Sequence, residues 1–397
     1  MVTPLLKPEI QDYIDANIGS DVSKLALLKN PFPDVELPAL LNQIAAKNKA
    51  KNKLPSWFQK KKIIYPSKVS IEQTSSEVAA LYKSEIVSGG TLIDLTGGFG
   101  VDTYYFAKRI NEVTHCEINA DLSAIVAHNF GILNATNIKC LPGDSNHILK
   151  NLDQQFDWIY IDPSRRHDDK GKVFMLKDCQ PNVPELLDFY FNYSNNILIK
   201  TAPVLDISAG FSELKWVKAI YIIAIENEVK ELNWELSKNY NGKIKIKTMS
   251  FNKDSKQVFD FILNKNSASA SYSLPKKYLF EPNSAVMKSG GFNEISCQLN
   301  VDKLHLHSHL YTSDELIDFP GRRFEINKII SYSKTDMKTN LENSKANVTT
   351  RNFPEPVETI RKRWNIKDGG DQYCFFTSDV NDNKIVLICT KIQHNEI

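Results

Sequence analysis

The sequence predicts an α/β fold: a parallel sheet wound with helices on both faces, preceded by a helical region and followed by small α+β pieces. Three observations predict it. Short apolar runs alternate with helical patterns between residues 91 and 201. The runs are apolar at consecutive positions, as strands buried on both faces must be. Four of them end at an acid, and a glycine cluster follows the first. This alternation argues for a doubly wound sheet, whose ligands sit at the carboxyl ends of the strands.

Residues up to about 88 read as helical. VSKLALLKN has helical spacing, and VELPALLNQIAAKNKAKNK begins amphipathic and ends basic. Ser70, ahead of Ile71-Glu72-Gln73, is placed as a helix cap. The stretch from Ser76 to Lys83 continues as helix until Gly89-Gly90 stops it. Strands are expected at TLIDLT (91–96), EVTHCEI (112–118), NIKCLPG (137–143), FDWIYID (156–162) and NILIKT (196–201). Helices are expected at 101–109, 120–133, 145–152 and roughly 181–193. Later strands are WVKAIYIIAI (216–225), KIKIKTMSF (243–251) and QVFDFILN (257–264), the last two close enough to pair antiparallel. The segment NKNSASASYSLPKK (264–277), rich in Ser, Asn and Lys, reads as a linker. The resulting division is 1–88, 89–268, 275–318 and 319–397.

At 397 residues the chain is long for one domain, and its 42% hydrophobic and 24% charged content is that of an ordinary globular protein. No apolar run of about 18 residues marks a membrane span, and MVTPLLKPEIQDY lacks the layout of a secretory signal. Cys116, Cys140, Cys179, Cys297, Cys374 and Cys389 are scattered, with no CxxC pair. That spacing points to a reduced, cytoplasmic protein and to neither a disulfide framework nor a zinc site. The net charge of +2 does not mark a nucleic-acid binder, but its distribution is uneven. Lys47, Lys49, Lys51, Lys53, Lys60, Lys61, Lys62 and Lys68 form one basic cluster; Arg361, Lys362, Arg363 and Lys367 form another, with Arg351 upstream. These are solvated faces or a phosphate-binding footprint.

The stretch Asp94-Leu95-Thr96-Gly97-Gly98-Phe99-Gly100 turns from strand to helix. Such a turn brings main-chain amides close to a ligand; it can equally be only a tight turn. Glu117 ends the second strand, 23 positions after Asp94, where an acid can bind both hydroxyls of a ribose. Asp144 ends the third strand, where a carboxylate can meet an adenine edge or cap the next helix. Asp162 ends the fourth, in Asp162-Pro163-Ser164-Arg165-Arg166. The nicotinamide fingerprint GxGxxG and the P-loop are both absent.

These residues resemble the class I S-adenosylmethionine-dependent methyltransferases, whose motif is an acid followed by glycines at alternate positions. Asp94, Gly98 and Gly100 match, and Thr96 replaces the first glycine. The resemblance implies that Asp94 and the loop, Thr96 to Gly100, hold the methionine end, Glu117 the ribose and Asp144 the adenine. IEQTSSEVAALYKSE, DLTGGFGVDTYYFA, IDPSRR, LIKTAPVLDI, YLFEPNSAVMKSGG, HLYTSD, FPGRRF, TTRNFPEPVETIRKRW and KDGGDQYCFFT extend it. From about Ser70 onward they are similar to a family of methyltransferases with a C-terminal ferredoxin-like module and a THUMP-like domain. By that pattern, the helix bearing Gln73, Thr74, Ser75 and Ser76 closes over S-adenosylmethionine.

In amino-methylating relatives the fourth-strand motif is acid-Pro-Pro-aromatic. Asp162 and Pro163 match it, and Ser164 and Arg165 do not. Arg165 can stack on a base or bind phosphate, or pair with Asp168 or Asp169. The motif also resembles the DPPR of RNA uracil C5-methyltransferases, yet LIKTAP offers no cysteine nucleophile and Cys179 is a poor substitute. A nitrogen or oxygen acceptor is therefore expected, with Asp162, Pro163, Arg165 and Lys200 as the catalytic group and Asp206 nearby. Related THUMP domains bind RNA, so a tRNA or rRNA partner is expected at Lys60, Lys61, Lys62, Arg351, Arg361 and Arg363. The alternatives are a protein or small-molecule acceptor, or a non-catalytic RNA-binding protein. His305, His307 and His309 alternate along an expected solvent-facing strand. Neighbours on one face are about 7 Å apart, too wide for one ion, so no metal is expected.

Overall fold

The computed structural model describes residues 3–165, 175–253, 255–263 and 269–393, without the side chains of Thr3 and Arg165. The chain divides into two compact units, Met1–Lys218 with Asn233–Asn241, and Ala219–Leu232 with Gly242–Ile397.

The first unit opens with helices α1 (Pro8–Ala16), α2 (Leu37–Lys53), α3 (Lys68–Gln73) and α4 (Glu77–Ser84). The helix caps are Ser67, whose side chain accepts from the Ser70 amide, and Ser76, which accepts from Ala79. Ser70 therefore does not cap a helix: it lies inside α3, and the break at Thr74 separates α3 from α4. Between α2 and α3 the buried segment at Ile64 and Tyr65 is clasped by two side-chain amides. Asn129 accepts from the Ile64 amide at 2.9 Å and donates to its carbonyl at 2.8 Å. Gln43 does the same for Tyr65, at 2.9 and 2.6 Å. Each amide mimics the edge of a neighbouring strand and satisfies buried main-chain groups.

The sheet of this unit contains β1 (Thr91–Asp94), β2 (Glu112–Glu117), β3 (Ile138–Pro142), β4 (Trp158–Ile161) and β5 (Asn196–Thr201). All five expected strands form, parallel, in the order β3-β2-β1-β4-β5. Helices α5 (Val101–Phe106), α6 (Ala120–Ile132), α7 (Ser145–Leu152), α8 (Val183–Tyr190) and α9 (Ile207–Glu213) connect or follow the strands. β1 is flanked by β2 and β4, so the connections run outward on both sides of it. That is the switch point at which such sheets bind ligands.

In chain order there follow β6 (Val217–Ile225), β7 (Glu228–Ser237), β8 (Lys245–Asn252) and β9 (Ser255–Ile262). β8 and β9 pair antiparallel, as expected, and β8 runs parallel to β6. β7 was not among the expected strands. Its Leu232, Trp234 and Leu236 alternate with Glu231, Asn233 and Glu235, and all six are buried. The acids disguise a period-2 pattern that was available to read.

The second unit also holds a seven-stranded sheet. Its strands are β10 (Tyr278–Pro282), β11 (Asp302–Lys303), β12 (Tyr311–Ser313), β13 (Gly321–Ser331), β14 (Asn347–Thr350), β15 (Gln372–Ser378) and β16 (Lys384–Ile392). Their order is β11-β12-β10-β13-β16-β15-β14. Helices α10 (Ser284–Ser289), α11 (Phe292–Leu299), α12 (Lys334–Asn340) and α13 (Val357–Trp364) accompany them. Met337, Ile360 and Trp364 pack with Phe376 and Val386 in one core.

Replacing Asn129 with alanine strands the Ile64 amide and carbonyl in a dry site. The expected loss is about 2–4 kcal/mol. Chemical denaturation of the variant checks it; a loss below the error of the melt would show that the clasp is dispensable.

Candidate active site

Because β1 to β4 are parallel and adjacent, Asp94, Glu117, Asp144 and Asp162 emerge at one edge of the sheet. Asp94 is buried, accepting from the Thr96 amide at 3.0 Å and the Thr103 hydroxyl at 2.7 Å. Burial pushes its carboxyl up to about 7; those hydrogen bonds oppose the rise, and Asp102 and Asp162 add to it. Thr96, where the resemblance calls for glycine, has a use for its side chain. Its hydroxyl accepts from the Asp162 amide at 2.6 Å and lies 3.4 Å from an Asp94 oxygen. The tips of β1 and β4 are tied through that one oxygen.

The glycines answer to different constraints. A Cβ at Gly97 would lie 2.2 Å from Nε2 of His115, a buried imidazole under the loop. Burial pulls His115 down to about 4, so the ring is neutral. Gly100 stands at the N-cap of α5 with φ +78°, and a Cβ there would lie 2.6 Å from Phe130. Packing inside the protein dictates both. At Gly98 the nearest atom to an added Cβ is the Thr96 carbonyl oxygen, 3.8 Å away, so this residue leaves an open approach, and its φ of +53° is left-handed like that of Gly100.

Glu117 accepts from the Gly98 amide at 2.9 Å and from the Asn119 amide at 2.8 Å, one bond per oxygen. A carboxylate offers about four acceptor positions, so half remain for a ligand. Asp144 is exposed and caps α7 by accepting from the His147 amide at 2.9 Å. Asp162 is partly buried and bonds the ammonium of Lys200, itself buried. Burial raises the Asp162 carboxyl, against the charge of Lys200.

Pro163 is buried, and Ser164–Arg165 pairs with Cys179–Gln180 as a two-residue ribbon. The Arg165 side chain and Arg166, Asp168 and Asp169 lie outside the described residues. Cys179 is buried, with its sulfur 3.7 Å from the Met175 carbonyl oxygen. Asp206 caps α9. Gln73 is exposed at the end of α3 and Thr74 follows it; among the described residues neither side chain bonds a strand tip.

Three site residues were not foreseen: Lys83, Asp102 and Tyr160. Lys83, on α4, is fully buried, with its ammonium 2.8 Å from Asp102 and donating to Ser75 at 2.6 Å. Asp102, in the first turn of α5, also accepts from Ser75 at 2.9 Å and from the Tyr160 hydroxyl at 2.7 Å. Burial favours the neutral acid, but the charges of Lys83 and Lys200 outweigh it and hold Asp102 below the usual carboxylate range. In sequence, Lys83 looks like a surface lysine and Asp102 like a charge complementing a helix N-terminus. Only the Ser-Ser-Glu pattern before α4 hinted at a role for this segment.

The basic candidates separate. Lys60, Lys61 and Lys62 are exposed and, among the described residues, form no ion pair. Arg351 pairs with buried Glu281 at 2.8 Å, beside Arg322. Arg363 pairs with Glu355 at 2.8 Å, and Arg361 pairs with Asp368. The three arginines are thus engaged within the chain. The histidine segment forms a turn, not the expected strand. His305 bonds Asp382 at 2.9 Å, and His309 stacks on Phe292 at 3.6 Å, so the imidazoles do not share a strand face. Among the described residues no cluster suits a metal ion, and no helix is long and apolar enough to cross a membrane.

A profile described as a ferredoxin-like domain matches residues 278–320, and one described as THUMP domain-like matches 321–391. Among solved structures, a candidate methyltransferase from Porphyromonas gingivalis W83 overlays with a TM-score of 0.84 at 28% identity. It covers 98% of this chain and 99% of that one. A candidate RNA methyltransferase from Pyrococcus horikoshii aligns with a TM-score of 0.33 at 14% identity, over 49% of this chain and 98% of that one. TrmK of M. capricolum, in complex with S-adenosyl-homocysteine, aligns with a TM-score of 0.32 at 12% identity, over 44% and 70%. No curated protein matches this chain.

The folded-state carboxyl of Asp94, at about 7, lies above its ordinary value of 3.8. Its contribution to stability is therefore fully present below about pH 4 and is lost as pH rises through 7. Relative to Asp94→Asn, the wild type loses stability across that window. Urea melts at several pH values check it, and a constant difference would rule it out.

Proposed function

We propose that this chain, a class I methyltransferase fold with ferredoxin-like and THUMP-like domains at its C-terminal end, uses S-adenosylmethionine to methylate a nitrogen or oxygen of an RNA nucleotide. The supporting observation is Glu117. Its carboxylate is fixed by the Gly98 amide, keeps acceptor positions free, and stands beside the open side of Gly98. That arrangement fits a ribose with two hydroxyls. Asp94 and the loop from Thr96 to Gly100 would hold the methionine end, and Asp144 the adenine, through the oxygen its helix cap leaves over. The cofactor supplies a methyl group activated by a sulfonium. The chain supplies position and dryness, which dominate such a displacement.

On the acceptor side, Asp162 is held by its own amide through Thr96 and by its carboxylate through Lys200. A carboxyl whose proton affinity is raised by burial is suited to take the proton that a nitrogen or oxygen acceptor loses. Pro163 and Arg165 continue the acceptor motif. We place the methyltransferase part at 89–268 after the helical region 1–88, the ferredoxin-like part at 275–318 and the THUMP-like part at 319–397. The THUMP-like match and the exposed Lys60, Lys61 and Lys62 support an RNA such as tRNA or rRNA. The internal pairing of Arg351, Arg361 and Arg363 favours the second reading, a protein or small-molecule acceptor.

Calorimetry with S-adenosylmethionine tests the cofactor. Wild type binds, and Asp94→Ala and Glu117→Ala each weaken binding at least tenfold, the scale of about 1.5–3 kcal/mol for a hydrogen bond to a charged group. No binding by wild type would end the proposal. For the acceptor, mass spectrometry of nucleosides from cells lacking the protein should show one modification missing. Charge reversal at Lys60 and Lys61, and separately at Arg361 and Arg363, tests the footprint. Each phosphate contact removed flattens the salt dependence by about 0.7–0.9 log units per log unit of salt. Unchanged affinity in both pairs would remove RNA contact from these clusters.

A further inference from the structure

We propose that Asp102 is a positioning residue for cofactor binding: its carboxylate, held by Lys83, fastens the segment between α3 and α4 to the helix that begins at the glycine loop. The inference rests on the cofactor reading above and deepens it.

One carboxylate reaches three separate parts of the first unit. Lys83 brings α4 to it at 2.8 Å. Ser75, immediately after Gln73 and Thr74, donates to it at 2.9 Å. Tyr160 donates at 2.7 Å from β4, two positions before Asp162. Asp102 itself lies two residues beyond Gly100, so wherever its carboxylate is held, the start of α5 and the end of the loop are held too. The Lys83 ammonium closes the set by donating to the Ser75 hydroxyl at 2.6 Å.

Stability is a poor reason for such an arrangement. Replacing a buried ion pair with apolar side chains is often neutral or stabilising. What the pair supplies is direction: two charges and two hydroxyls satisfy one another in a single geometry. The segment from Thr74 to Ser76 has no helix of its own to hold it, since α3 ends at Gln73 and α4 begins at Glu77. Ser75 is its buried anchor.

The test uses the full chain and S-adenosylhomocysteine as probe. Ser75→Ala removes one anchor and leaves the ion pair. It is expected to weaken binding by about three- to tenfold, the usual scale for one hydrogen bond, with little change in Tm. Ser75→Thr restores affinity. Lys83→Met with Asp102→Asn removes both charges together, avoids a stranded one, and is expected to weaken binding by at least as much. Wild-type affinity in folded Ser75→Ala and in the double variant overturns the inference while leaving the cofactor reading intact. An affinity loss in Ser75→Ala matched by a collapse of Tm overturns it as well, because the role is then structural only. Failure of wild type to bind the probe removes both.

Discussion

The hydroxyl of Thr96 joins the two strand tips on which the site is built. It accepts from the Asp162 amide, and the Thr96 backbone amide donates to Asp94. A glycine in its place could make the second contact and not the first. The departure from the methyltransferase pattern therefore adds a tie between the acid at the end of β1 and the acid at the end of β4. Once those tips are fixed, β2 is placed by parallel pairing with β1, and Glu117 is brought to the Gly98 amide. The positions of the carboxylates follow from main-chain bonding more than from any direct contact among them.

Their charges are a separate matter. Asp94, Asp102 and Asp162 stand near Lys83 and Lys200, so with all five ionised the group carries one excess negative charge. Lys83 takes Asp102 and Lys200 takes Asp162. Asp94 has hydroxyl and amide donors but no lysine, and it is the carboxyl that burial drives to about 7. Lysines pair with two of these three acids, and burial pushes the third towards protonation. In the proposed reading, a cationic ligand end beside the loop would lower the penalty of ionising Asp94, and binding would strengthen as that acid gives up its proton.

Much of this was legible in one dimension. Strands buried on both faces must be apolar at consecutive positions, so TLID, WIYI and NILIKT stand out, and the polar residues that end them fall together at one edge because parallel strands share a direction. What failed was partnership. Nothing in EVAALYKS shows that Lys83 is buried, because its partners lie on α5 and in the turn before α4. Nothing in RKRW shows that Arg361 and Arg363 already have acids beside them. β7 is a miss of another kind: its alternation is visible in the sequence, but acids, which usually face solvent, stand at two of its positions, and Glu231 and Glu235 are both buried. The histidine run failed because a turn between β11 and β12, closed by the Lys303–Tyr311 pairing, breaks the alternation.

The glycine cluster shows why a motif is not yet a binding site. Of its three glycines, Gly97 is required by His115 beneath it and Gly100 by Phe130 and a left-handed backbone. Both requirements would hold if the loop bound nothing. They also do something a ligand needs. A neutral imidazole under Gly97 and an aromatic ring against Gly100 clamp the two ends of a short turn, which leaves Gly98 as the residue with open space. A loop clamped from below presents its upper amides in a fixed direction, and the Gly98 amide is the one that orients Glu117. Gly97 and Gly100 are packed from within the protein, and Gly98, left-handed like Gly100, is the one without a packed neighbour. On that view, the specificity of the motif lies in the contrast between its positions.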